Sequence, residues 1–98
     1  MALLNVTLRT ASSISPGTKV VAELSDERGV AIPGYTAAGA VVVEPSVATT
    51  DATGLASLDL VPNADITPAG TYYTVRVGPA QFRITKTAST QTLPEAIA

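Results

Sequence analysis

Cysteine, histidine and tryptophan are absent from this chain of 98 residues, and phenylalanine occurs once. Without cysteine there is no disulfide, no thiolate metal site and no thiol nucleophile. Without histidine there is no imidazole base, and the usual ligands of structural zinc are gone. Charge is sparse as well: six basic and eight acidic residues leave a formal net charge of −2. The basic residues Arg9, Lys19, Arg28, Arg76, Arg83 and Lys86 are scattered rather than clustered. Nucleic-acid binding needs a basic stripe, so none is expected. Long apolar runs are also missing. The longest uncharged stretch, residues 29–43, is broken by Pro33, Gly34 and Gly39 and is too short to cross a bilayer, so no membrane association is expected. The opening M-A-L-L-N-V-T-L-R lacks a basic n-region. Export by an ordinary signal peptide is therefore not expected, and synthesis in a cytoplasm is.

What remains is one domain of near-typical size. A chain this short buries roughly 60–65% of the surface that its unfolded form exposes, so its stability is expected at about 5–10 kcal/mol. With disulfides and zinc closed off, oligomerisation or docking onto a larger assembly is the open route to further stability.

The apolar residues recur with period two, and β-branched Val, Ile and Thr dominate. Both features predict strands. Leu4, Val6 and Leu8 share one face of a first strand. Val20, Ala22 and Leu24 point inward from a second, with Lys19, Glu23 and Ser25 opposite. Val30-Ala31-Ile32 reads as a short strand stopped by Pro33-Gly34. Residues 40–44 form a continuous apolar run, as expected where both faces are covered. In residues 55–60, Ala56, Leu58 and Leu60 face the core. In 71–77 the inner residues are Tyr73, Val75 and Val77, with Tyr72, Thr74 and Arg76 outside; in 81–86 they are Phe82 and Ile84. Turn signals separate the strands: Ser15-Pro16-Gly17-Thr18, Asp26-Glu27-Arg28-Gly29, Asp51-Ala52-Thr53-Gly54 and Gly78-Pro79. Several short strands with Gly/Pro turns predict an all-β antiparallel sandwich, immunoglobulin-like or transthyretin-like. The expected division is a sandwich domain over residues 1–86 and a C-terminal tail or docking arm over 87–98.

Few side chains could carry chemistry. Asp51, Asp59 and Asp65 flank one loop region, but a calcium loop needs carboxylates at alternate positions, and turn formation accounts for Asp51. Glu23, Glu44 and the aspartates could supply an acid pair for glycoside hydrolysis, yet nothing in the sequence brings two together. Tyr35, Tyr72 and Tyr73 could stack on sugar rings; the plainer reading puts Tyr73 in the core and Tyr72 on the sheet surface. Asn5-Val6-Thr7 is a formal glycosylation sequon placed inside a strand. No enzyme, no metal and no cofactor are expected.

From Asp26 to Val77 the chain resembles transthyretin-like and carboxypeptidase-regulatory-like domains. The shared elements are Asp26…Gly29, Gly29-Val30-Ala31-Ile32-Pro33-Gly34, Thr50-Asp51-Ala52-Thr53-Gly54 and Pro68-Ala69-Gly70-Thr71-Tyr72. They cover about half of the chain. The excursion Pro62–Pro68 departs from those domains and looks more like domains of phage minor-tail and tail-fibre proteins, as do the opening A-L-L-N-V-T-L-R and the closing T-L-P-E-A-I-A. That resemblance implies a non-enzymatic virion protein, a small decoration or attachment subunit on a capsid or tail. It implies the major capsid or tail protein as partner, repeated copies or a homo-oligomer, and a place on the virion. Leu3, Leu93, Ile97, Tyr35 and Tyr72 are the expected assembly contacts. An adhesin-like or carbohydrate-binding module with weak glycan affinity is the alternative.

Overall fold

Period-two alternation becomes two packed faces in the computed structural model, which describes residues 2–9, 12–13 and 15–97. The strands are β1 (Leu3–Thr7), β2 (Lys19–Ser25), β3 (Gly34–Thr36), β4 (Val41–Val42), β5 (Ser46–Thr49), β6 (Leu55–Asp59), β7 (Ile66–Thr67), β8 (Tyr72–Val77), β9 (Ala80–Ile84) and β10 (Gln91–Thr92). A 3-10 turn at Asn63–Asp65 and one helical turn, α1 (Leu93–Ala96), complete the regular structure among the described residues. The first sheet has the order β10-β1-β6 and the second β5-β2-β8-β9; a small third sheet is β4-β3-β7. Among the described residues, every strand pairing runs antiparallel except β1 with β10. The chain is an all-β sandwich.

The core lies between the first and second sheets. Leu4, Val6, Ala56, Leu58 and Leu60 come from one side, and Val20, Ala22, Leu24, Tyr73, Val75, Val77 and Ile84 from the other. Leu8 and Phe82 pack against this cluster while staying partly exposed. The inner residues read from alternation thus face inward, as the register Leu4↔Leu58, Val6↔Ala56, Leu24↔Tyr73 and Ala22↔Val75 requires.

Two turns share one design. Asp26 Oδ1 accepts from the N–H groups of Arg28 (2.8 Å) and Val30 (3.0 Å). Asp51 Oδ1 accepts in the same way from Thr53 (2.8 Å) and Leu55 (3.1 Å), and also from the Thr53 hydroxyl. In both, the glycine N–H three residues on donates to the aspartate carbonyl at 3.0 Å. Both glycines have φ near +80°, where a side chain is strained. These donors hold the Asp26 and Asp51 carboxyls below the usual carboxylate value.

Several expectations need correction. Residues 30–32 form no strand; only Ala31 bridges to Ser25, and the strand lies later, at Gly34–Thr36. The glycine is what allows it. A Cβ on Gly34 would sit 2.6 Å from Ile66 Cγ2 and 2.8 Å from Leu24 Cδ2, so β3 can lie this close to both side chains only with glycine there. The apolar run at 40–44 is not covered on both faces. β4 is an outermost strand with two residues, and Val41 and Val43 stand 65% and 61% exposed. Ser25 and Thr74, read as outward, are buried because their hydroxyls bond each other at 2.9 Å.

The end of the chain packs onto the sandwich. Residues 87–97 do not stand off as an arm. β10 lies parallel along β1 with Leu4↔Gln91 and Asn5↔Thr92. Ile97 then bridges to Ile84, and the Thr85 N–H donates to the Ala96 carbonyl at 2.9 Å. One short segment therefore ties the first sheet to the second across their open side. Leu93 and Ala96 are buried beneath it.

Candidate interaction surface

Edge strands decide what this molecule shows to others. β4 is the edge of the small sheet and β5 the edge of the second sheet, and they are consecutive in sequence. In this stretch of sequence Val41, Val43 and Val47 are 65%, 61% and 50% exposed. Tyr35, directly opposite Val41 in the register, is 54% exposed. Thr67 pairs with Tyr35 from the other side and completes that outward row. Val43 borders a shallow depression of about 210 Å³ lined by Ala31, Ile32 and Pro33, with Glu23 at its rim. Glu44 is the one charged residue between Val41 and Thr49.

The five expected contact residues fall in separate places. Tyr35 belongs to the exposed apolar edge. Tyr72 lies on the outer face of the second sheet, half-buried, with the Arg83 guanidinium 4.8 Å from its ring centroid. That arginine also donates to the Glu27 carbonyl at 2.8 Å, so one face of the Tyr72 ring is engaged within the molecule. Leu3 lies on β1, Leu93 on α1, and Ile97 at the bridge to Ile84 of β9. Of these, Leu93 is buried and belongs to the core cluster. Leu3 is half-buried and Ile97 is 49% exposed. Sequence reading missed Val41 and Val43; the shortness of the stretch, five residues between Gly39 and Pro45, is the signal that could have found them.

The tyrosines share no face. Tyr73 sits in the core with its hydroxyl donating to the Val61 carbonyl at 2.8 Å, and burial pushes that hydroxyl up to about 12. The carboxylates are likewise dispersed. Asp26 and Asp51 are consumed by their turns, Glu23 pairs with Arg76 at 3.4 Å, and Glu95 accepts from Thr92 in a capping box. Among the described residues, no three acidic groups gather at one point. Asn5 of the sequon accepts from the Ser57 hydroxyl at 2.7 Å within the first sheet.

A buried lysine went unnoticed in the sequence. Lys86 follows β9 at the parity of Phe82 and Ile84 and is 1% exposed. Its Nζ donates to the carbonyls of Thr87 (2.7 Å) and Ser89 (2.6 Å) and to Gln91 Oε1 (3.0 Å). Three acceptors match the three N–H groups of an ammonium. Burial lowers its proton affinity below the ordinary lysine value, with the charge of Asp59 opposing. Its backbone is held too: the Lys86 N–H donates to Asn63 Oδ1 at 2.7 Å, and the Asn63 N–H returns a bond to the Lys86 carbonyl at 3.0 Å. Asn63 thus pins the Pro62–Pro68 excursion to the second sheet.

Among the described residues no helix is long and apolar enough to cross a membrane. No protein-family model matches the chain, and no curated protein matches it either.

Proposed function

We propose that this chain is a non-enzymatic structural subunit of a phage virion, a small decoration or attachment module that docks in repeated copies on the major capsid or tail protein. The observation that carries this reading is the exposed apolar edge formed by Tyr35, Val41, Val43 and Val47. A stable monomer gains nothing from four such side chains in water. Covered by a partner, each valine contributes about 1.5–3 kcal/mol before the ordering costs of association. The surrounding strands are uncharged enough to accept a protein surface and too short for an extended sheet-to-sheet fibre. The turn grammar of the Pro62–Pro68 excursion supplies the phage context.

A carbohydrate-binding module would present a stacked aromatic platform. Tyr72 is engaged by Arg83, Tyr73 is buried, and Tyr35 stands beside valines, so nothing here favours that alternative.

The test uses particles stripped of this protein and the purified chain. Val41→Glu with Val43→Glu is expected to reduce particle binding at least tenfold while the melting temperature stays within a few degrees. Undiminished binding by a folded double variant would remove the edge as the docking face. Specific retention on a glycan array, with none on particles, would replace the virion reading.

A further inference from the structure

The closing segment, residues 87–97, is held by a different kind of bonding from the sheets that it joins. Its two pairings are short: two residues of β10 along β1, and the single Ile84–Ile97 bridge. Its apolar anchors are Leu93 and Ala96, three apart and so on one face of a single helical turn. Lys86 makes three further polar contacts with it. Every acceptor of its ammonium lies at Thr87, Ser89 or Gln91, and Gln91 Oε1 also takes the Thr87 N–H at 3.0 Å. The turn between, Thr87-Ala88-Ser89-Thr90, is exposed throughout.

We propose that residues 87–97 form a strap that opens as one cooperative unit without global unfolding, and that Lys86 is its latch. The physical reason lies in the balance at the ammonium. Closed, Lys86 loses hydration and regains it only through three strap oxygens. Open, the ammonium returns to water and the strap carbonyls do so too, so parting them costs far less than parting the apolar sheet interior. The core β2–β8 pairing, six residues long and covered inside by Val20, Ala22, Leu24, Val75 and Val77, has no such exit. Local openings of this kind belong to segments with few buried contacts and polar hydrogen bonds near solvent. When the strap lifts, it bares one edge of β1, one edge of β9, and the Leu4 and Ile84 seam. It also removes one wall, Thr92, Leu93 and Pro94, of a cleft of about 450 Å³ whose other wall is Leu8 and Phe82.

Native-state hydrogen exchange on the full chain, read residue by residue, tests this. The Thr85 amide, bonded to the Ala96 carbonyl, and the Thr87 amide, bonded to Gln91, report the strap; the Val75 amide reports the sandwich. Strap amides are expected to exchange at least tenfold faster than Val75 and with little dependence on denaturant. Lys86→Met is expected to accelerate Thr85 and Thr87 at least tenfold further relative to Val75. Gln91→Ala, a milder change at a half-buried site, is expected to act in the same direction and covers the case in which the lysine variant does not fold. Thr85 and Thr87 exchanging together with Val75 in the unaltered chain would overturn the strap. Uniform acceleration of all three amides in both variants, or none, would overturn the latch.

Discussion

At the scale of single residues, three positions carry consequences out of proportion to their size. Gly34 is fixed by contact rather than by backbone freedom: Ile66 and Leu24 leave no room for a Cβ. Gly34→Ala is expected to cost about 1–3 kcal/mol, the usual penalty of overpacking, read as a lower urea midpoint with unchanged slope. Lys86 and Tyr73 together shape the alkaline limb of stability. Lys86 has a lowered proton affinity in the fold. Between that value and about 10.4, where an unfolded lysine titrates, the unfolded chain binds more protons, so stability rises with pH. Tyr73 works in the opposite sense. Its hydroxyl titrates at about 12 in the fold, whereas an unfolded tyrosine does so at about 10. From pH 10 to 12 the folded chain holds the extra proton, and stability falls as pH rises. Urea midpoints measured from pH 7 to 12 should therefore climb and then drop, turning near pH 10. Lys86→Met should remove the climb and Tyr73→Phe the drop. A monotonic rise in the unaltered chain would contradict the Tyr73 assignment, and a monotonic fall that of Lys86.

At the scale of elements, the closing segment adds a tie between two sheets already joined by the core, in a domain without cysteine. Deleting residues 93–98 removes the buried Leu93 and Ala96 and the Ile84–Ile97 bridge. The loss is expected at about 2–4 kcal/mol, with unfolding still cooperative because the β1–β6 and β2–β8 pairings remain. An unchanged urea midpoint would show that the segment contributes nothing to the sandwich. This element was the least legible in the sequence. Thr87-Ala88-Ser89-Thr90 has a loop composition, β10 is two residues long, and α1 is a single turn, so no periodicity window could register them. The signal that did exist was parity: Phe82 and Ile84 facing inward place Lys86 inward as well, and a buried lysine demands partners close by. Strands with five or more residues were legible for the converse reason. In β1, β2, β6, β8 and β9 the alternation persists long enough to fix which side is buried. β3 and β4 escaped because their placement depends on Gly34 meeting Ile66 from 32 positions further along, a contact that local pattern does not encode. Exposure of the candidate surface followed from the same blind spot, since Val41 and Val43 are bare only because β4 is short and outermost.

At the scale of the whole molecule, weak charge and an apolar edge act together. The sequence has an isoelectric point near 4.8. The carboxyls of Asp26, Asp51 and Glu95 keep their charge below the usual range, because Asp26 and Asp51 accept backbone N–H and hydroxyl bonds in their turns and Glu95 accepts from Thr92. For such groups the stabilisation is present above the unfolded value near 4 and is lost only as pH falls through the lower folded values. The fold should therefore be intact at pH 4.8, where net repulsion between molecules vanishes. Under those conditions Tyr35, Val41, Val43 and Val47 on one molecule meet the same surface on another without electrostatic opposition. Light scattering is expected to peak near pH 4.8 while the circular dichroism spectrum stays native, and the particles should redissolve at pH 7. Val41→Ser with Val43→Ser leaves the charge unaltered and should suppress that peak. If scattering instead rises only where the spectrum is lost, near pH 3 or below, association belongs to the unfolded chain and the edge does not act as a native contact surface.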